Sequence, residues 1–191
     1  MKEIESYIET YFGIGGKDLS PMADLFEETT LKKNEYLLQI GKYSTGLSFL
    51  KEGFVRLYAY NQSGEKEITQ WISSKGMFVT DLSSLIFNTP SRWNAQALSD
   101  CHLYTMSKDK YQKINQLLGN WAELEKLFIA KCFVTLENRV FNQLSMTAEE
   151  KYRHLFQLNP EIFNQVPLQY IASMLGMTPE TLSRTRRKLI P

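Results

Sequence analysis

The spacing of apolar residues divides the chain into three textures. Residues 3–12 place Ile4, Tyr7, Ile8, Tyr11 and Phe12 on one helical face, and the glycines at 13, 15 and 16 end the pattern. A second short helix is predicted in SPMADLFEE, with Ser20 as its cap and Pro21 in its first turn. From about 29 to 107 helical spacing gives way to short runs of Val, Ile, Leu, Tyr and Phe. Turn-forming stretches such as IGKYSTG, KEG, NQSG and FNTPS separate them, which is the pattern of many short strands. Within GLSFLKEGFVRLYAYNQSGEKEITQW, Glu52-Gly53 and Ser63-Gly64 divide three strands expected to form consecutive hairpins, and the whole segment predicts an antiparallel roll or barrel.

Helical spacing returns after Ser107, first in DKYQKINQLL and then in a long run that lacks Gly and Pro after Gly119. Apolar positions in that run cover too wide an arc for a simple surface helix. Leu127, Val134 and Phe141 recur at sevens, with Ala130 and Leu144 beside them; Leu124, Phe128, Cys132, Leu136 and Val140 form a second ridge stepping by four. One face is expected to pack on the β-unit, and the other, Leu127, Val134 and Phe141, to pair with a second copy of the chain. A single buried core helix in a monomer is the alternative. Thr147-Ala148-Glu149-Glu150 is a capping box that opens the next helix, and Asn159-Pro160 closes it. The expected division is therefore residues 1–118, 119–146 and 147–191, in an α+β fold.

The last part carries the most specific pattern. Pro167 opens a helix with Leu168, Ile171, Ala172 and Leu175 on one face; Gly176 ends it, and Thr178-Pro179-Glu180-Thr181 opens another. Two short helices joined at a glycine form a helix-turn-helix unit, and the small Ala172 lets the second helix approach closely. In that second helix Leu182, Thr185 and Leu189 form the inward stripe, while Glu180, Ser183, Arg184 and Arg187 point elsewhere.

Charge sharpens this picture. The chain has 22 Lys/Arg against 21 Asp/Glu, but Arg184, Arg186, Arg187 and Lys188 face only Glu180 in the last sixteen residues. That end seeks an anion. A helix of this size fits the major groove of double-stranded DNA. Arg184 suits guanine, Glu180 a cytosine amino group, and Ser183 a base or a phosphate. Arg186, Arg187 and Lys188 suit phosphates, which give affinity without sequence information. The plainer alternatives are a solvated, dipole-favoured helix end and a surface Glu180–Arg184 ion pair.

Other chemistry is excluded by what is missing. Cys101 and Cys132 lack metal or disulfide spacing, and His102 and His154 have no partner ligands, so no metal site and no catalytic set can be assembled. The stretch Phe12-Gly13-Ile14-Gly15-Gly16-Lys17 follows a helix and lacks the hydroxyl of a phosphate loop. There is no run of about 18 apolar residues and no signal peptide, so a reduced cytoplasm and no membrane are expected. The chain is read as no enzyme.

The order of elements resembles the cyclic-AMP receptor and fumarate–nitrate reductase regulator (CRP/FNR) family of bacterial transcription factors, and the likeness covers nearly the whole chain. Its most specific stretch is IASMLGMTPETLSR, similar to the family pattern I-[AG]-x-x-[LV]-G-x-[ST]-x-E-T-[LV]-S-R. The resemblance implies a cyclic-nucleotide-binding-like β-roll, a long dimerisation helix and a C-terminal helix-turn-helix of winged-helix type. It also implies a homodimer, with double-stranded DNA and RNA polymerase as partners. Thr178, Pro179, Glu180, Ser183 and Arg184 then fall at the DNA-facing start of the second helix, with Pro179 where some members carry arginine. The chain stops at Pro191, where many members continue into a wing, so the wing is expected to be short or absent and the basic residues to carry more phosphate contact.

In members that bind cyclic AMP the phosphate is cradled by F-G-E-[LI] followed by R-[ST]-A. The corresponding text here is GMFVTDLSSLIFNTPSRWNAQAL. Thr80, Asp81, Leu82, Ser91, Arg92 and Trp93 are the candidate pocket residues, with Thr80 for glycine, Asp81 for glutamate and Arg92 one place late. Cyclic-AMP binding is expected to be lost; a modified anion pocket, another small effector, no ligand, or a buried Asp81–Arg92 ion pair remain open. No cofactor is expected. The alternative function is a ligand- or protein-binding module whose basic tail is structural.

Overall fold

The computed structural model describes residues 2–16 and 19–189. Lys17 of the rejected phosphate loop and the chain end at Pro191 lie outside the described residues. Helix α1 (Glu3–Phe12) stops at Gly13, whose φ of 68° is left-handed. Helix α2 (Leu19–Ala23) starts one residue before Ser20 and ends earlier than SPMADLFEE suggested. Glu27 and Glu28 instead open strand β1 (Glu27–Leu31), where they pair with Thr105 and Tyr104. Sheet pairing outweighs the helix preference of two glutamates.

Seven further strands follow: β2 (Tyr36–Leu38), β3 (Gly46–Glu52), β4 (Val55–Tyr60), β5 (Glu67–Ser73), β6 (Phe78–Val79), β7 (Asn94–Ala97) and β8 (Cys101–Ser107), with helix α3 (Leu82–Phe87) between β6 and β7. They form two antiparallel sheets ordered β1-β8-β3-β6 and β2-β7-β4-β5. The Ser63-Gly64 hairpin between β4 and β5 is present, its loop tied by Asn61, whose side-chain oxygen accepts from the Glu65 and Lys66 backbones. The expected hairpin at Glu52-Gly53 is not: β3 and β4 lie in different sheets, and the chain crosses between them there. Gly53 has φ +93°, and a Cβ on it would stand 2.6 Å from the Asp100 carbonyl oxygen, so only glycine fits the crossing.

Three apolar clusters hold the molecule. Leu38, Leu50, Val55, Val79, Ala95 and Leu103 belong to the cluster formed by the β-roll strands. A second cluster joins Phe49, Tyr104 and Met106 to α1 and to the start of α5 (Trp121–Ser145), where Phe12 stacks on Phe128 with centroids 4.7 Å apart. The inner face of α5 therefore packs on the N-terminal helix as well as on the β-unit. Between β8 and α5, Ser107 caps the short helix α4 (Lys108–Lys113).

The third cluster crosses what was expected to be a domain boundary. Helices α6 (Ala148–Leu158), α7 (Ile162–Gln165), α8 (Leu168–Met174) and α9 (Pro179–Leu189) follow α5. Tyr152, Phe163, Ile171, Ala172, Leu175 and Leu182 from them are buried in one cluster with Phe54, Ile72 and Leu98 of the β-roll. Helix α8 covers the outer edge of β5, the end strand of its sheet, and the Thr69 backbone N–H donates to the Ser173 hydroxyl at 3.0 Å. Beside it Arg56 is only 1% exposed. Its guanidinium lies between the rings of Tyr58 on β4 and Tyr170 on α8, 4.1 and 3.8 Å from their centroids, and donates to Thr69 at 2.8 Å and Glu67 at 2.6 Å.

This clamp predicts a graded loss. Arg56→Ala removes the packing stem and both ring contacts and is expected to lower stability by about 2–4 kcal/mol in urea unfolding. Glu67→Gln, at the solvent side of the pair, should cost under about 1 kcal/mol. Equal costs would assign the energy to the ion pair and not to the buried guanidinium.

Candidate nucleic-acid interface and effector site

The helix-turn-helix is built as its sequence suggests. Gly176 has φ 69°, its N–H donates to the Ser173 carbonyl, and the Met177 N–H reaches back to the Ala172 carbonyl at 3.0 Å, tying off α8. The end of α5 reinforces this turn from outside: Gln143 Nε2 and Arg139 Nη2 both donate to the Met174 carbonyl, at 3.1 and 3.4 Å. On the far side of the turn the Thr178 hydroxyl accepts from the Thr181 N–H at 3.2 Å and caps α9. Ala172 and Leu182 are fully buried and Thr185 nearly so, which sets the close crossing of α8 and α9.

With that stripe inside, Thr178, Pro179, Glu180, Arg184, Arg187 and Lys188 are exposed and Ser183 is half-exposed. Helical periodicity gathers Glu180, Ser183, Arg184 and Arg187 on one outward face. The Glu180 carboxyl is held below its ordinary range by its own backbone N–H and by the Thr178 hydroxyl. No Glu180–Arg184 ion pair forms among the described residues. Two of the basic residues stand apart. Arg186 is half-buried on the flank near Tyr152, and Lys188 lies 3.3 Å from Glu149 at the start of α6. A phosphate would have to replace that surface pair, which is worth at most about 1 kcal/mol.

The candidate effector residues come together only in part. Asp81 is buried, and one carboxylate oxygen caps α3 by accepting from the Ser83 and Ser84 backbones and the Ser83 hydroxyl. The other accepts from the Ser91 hydroxyl at 2.8 Å. Burial alone would raise this carboxyl, but the hydrogen bonds from Ser83, Ser91 and Ser84 outweigh it and hold the group below its ordinary value. Thr80 donates to the Gly46 carbonyl at 2.9 Å, and Leu82 packs on the neighbouring core. Arg92 does not join them: it is exposed, with its guanidinium 4.9 Å from the Trp93 ring centroid, and no Asp81–Arg92 pair exists among the described residues. The serine one place earlier took the contact with Asp81. The N-terminus of α3 is thus capped by the chain's own carboxylate.

Helix α5 divides differently from the two expected ridges. Leu124 and Phe128 are buried and Cys132 half-buried, where burial pushes its thiol up to about 11. Leu136 and Val140, placed on that same ridge, are instead half exposed. The apolar cluster shared with α1 and the β-roll takes in only the first turns of the helix, and Leu136 and Val140 lie outside it. They join Leu127, Val134 and Phe141 in an exposed arc that includes Phe133 and Leu144, the last 83% exposed.

Residues 28–116 match the cyclic nucleotide-binding domain family. The β-roll is thus similar to cyclic nucleotide-binding domains. Over nearly the whole chain the fold is that of solved CRP/FNR-type regulators. A protein assigned to the CRP/FNR family from Eubacterium rectale shares 17% identity, with 96% of this chain and 87% of that one covered and a TM-score of 0.68. The c-di-GMP-responsive global regulator CLP of Xanthomonas campestris shares 16%, covering 90% and 89%, with a TM-score of 0.65. The catabolite activator protein of Thermus thermophilus shares 18%, covering 96% and 86%, with a TM-score of 0.58. No curated protein sequence matches the chain. Among the described residues no helix is long and apolar enough to cross a membrane, and no cluster of His, Cys, Asp and Glu has the grouping of a metal site.

The β-roll therefore carries a structural aspartate at the start of α3. Asp81→Asn is expected to cost about 1–2 kcal/mol at neutral pH. Because the folded pKa lies below the ordinary value of 3.8, that contribution is complete above 3.8 and is lost as pH falls through the folded pKa. Urea melts of the two proteins should converge at the acid end; a gap that persists unchanged would show that the ionised carboxylate is not its source.

Proposed function

We propose that the chain is a sequence-specific DNA-binding transcription regulator that acts as a homodimer on an inverted-repeat operator. The observation that carries this reading is the outward face of α9, where Glu180, Ser183, Arg184 and Arg187 stand exposed on a helix whose other face is locked against α8. Arg184 makes no intramolecular ion pair among the described residues, which a purely structural tail leaves without a purpose. In this reading Arg184 and Glu180 read base edges, Ser183 reads a base or a phosphate, and Arg187 contacts phosphate. Thr178 and Pro179 set the entry of the helix into the groove. Arg186 and Lys188 are secondary, since Arg186 is half-buried and Glu149 pairs with Lys188.

The exposed arc of α5 supports the homodimer. A contiguous apolar face of Leu127, Phe133, Val134, Phe141 and Leu144 is a surface that a second copy of the same helix covers. Two recognition helices in such a dimer would lie about 34 Å apart, one turn of DNA, which requires an inverted repeat. The self-capped α3 supports loss of cyclic-AMP binding: Asp81 holds the amides a phosphate would need, and Arg92 is turned to Trp93.

Selection of genomic fragments with the purified protein should enrich one inverted repeat. On that site Arg184→Ala is expected to relax preference at one base position by about 1–3 kcal/mol, whereas Arg187→Ala should weaken all sequences alike and reduce the salt slope by about one. Salt-sensitive binding with no sequence preference would overturn the reading. Independently, Val134→Asp should shift the sedimenting species from dimer toward monomer and weaken operator binding with it. An unchanged dimer would remove this face of α5 from the interface.

A further inference from the structure

A cavity of about 290 Å³ opens where β5, α5, α6 and α8 meet. Trp71, Ile72, Leu155, Ile162, Met174 and Leu175 are among its apolar lining residues, and neither Asp81 nor Arg92 contributes to it. Its size is at the lower end of the roughly 300–1,000 Å³ of small-molecule sites. The basic side chains of the lining are Arg139, Lys151 and His154, and neither Asp nor Glu contributes to it. Arg139 is half-buried, and no carboxylate lies within 4.0 Å of it among the described residues. Its guanidinium sits 4.9 Å from the Trp71 ring centroid, and its remaining contact is the long 3.4 Å bond to the Met174 carbonyl. Burial lowers its pKa, the mark of a charge without a counter-ion.

A guanidinium with no carboxylate partner among the described residues, on a wall whose exposed surface is mainly apolar, selects for a molecule with one negative end and an apolar body. A carboxylate matches the planar fork of arginine, and a single charge is easier to desolvate against such a wall than the double charge of a phosphate monoester. By helical periodicity the α5 residues of the lining lie on the flank away from Val134, Phe141 and Leu144, so a second copy on that apolar arc would leave the cavity free. We propose that this cavity binds a small amphipathic monocarboxylate, with its chain or ring against Trp71, Leu155 and Met174 and its carboxylate on Arg139. Such an occupant touches the β-roll through Trp71 and Ile72 and the helix-turn-helix through Met174 and Leu175. It also competes for the guanidinium that steadies the end of α8. If α9 reads DNA as proposed above, the cavity is the effector site; the binding claim itself does not rest on that reading.

The test uses the full chain without DNA, titrated with straight-chain carboxylates from hexanoate to dodecanoate, with 4-phenylbutyrate and with the matched alcohols, read by tryptophan fluorescence and thermal melting. At least one acid is expected to bind saturably and more tightly than its alcohol by about tenfold or more, the increment of one charge-assisted hydrogen bond. Arg139→Gln should erase that preference, and Arg139→Lys should keep part of it. Leu158 also lines the cavity, at its exposed side, and Leu158→Trp there should abolish uptake of acid and alcohol alike. Absence of saturable binding by every acid, equal affinity for acid and alcohol, or binding unaltered by Leu158→Trp would each overturn the proposal. Since DNA is absent, these outcomes are separate from success or failure of the operator selection.

Discussion

The arrangement of the molecule depends on a guanidinium buried in the seam between the β-roll and the C-terminal helices. Arg56 sits on β4 where both faces of the strand are covered, one by the opposite sheet and one by α8. A charge in that position is tolerable only because Thr69 and Glu67 accept from it and Tyr58 and Tyr170 lie over its faces. The same contacts place α8 along the free edge of β5, whose backbone would otherwise be open to pairing with another strand. From α8 the position of α9 follows, because Gly176 and Ala172 leave one way for the two helices to cross.

The two candidate ligand regions show opposite solutions to a buried charge. At α3 the chain supplies the anion itself, through Asp81, whose carboxylate caps the helix and accepts from Ser91. At the seam Arg139 has no carboxylate partner among the described residues, and its guanidinium rests on the Trp71 ring and the Met174 carbonyl. The charge that is satisfied stabilises the fold, and the charge that is left over is the one available to a ligand. This contrast shifts attention from the β-roll pocket to the junction of its sheet with the helices.

Much of this was legible in the residues. The cap, glycine turn and apolar stripe of residues 167–189 are local features, and the structure repeats them nearly position by position. The capping box at Thr147 and the hairpin at Ser63-Gly64 were equally plain. Less visible were features that depend on partners distant in the chain. Glu52-Gly53 looks like a hairpin because a turn signal does not state whether the next strand returns to the same sheet. Arg56 looks like an ordinary outward residue of VRLYAY, since nothing nearby announces that α8, more than a hundred residues later, will cover it. Leu136 and Val140 share their spacing with Phe128, but only the reach of the β-roll decides which of the three is buried.

The sequence by itself determined the order of elements, the helix-turn-helix and the placement of positive charge on its second helix. All of these rest on local backbone preference, side-chain periodicity and residue identity. Only the tertiary structure decided that the β-roll and the C-terminal helices share one core, that Asp81 is a cap whose partner is Ser91 and not Arg92, and that Arg139 faces an apolar cavity without a counter-ion. Those outcomes depend on which surfaces meet, and burial and pairing across such surfaces are properties of the assembled fold that no short stretch of residues specifies.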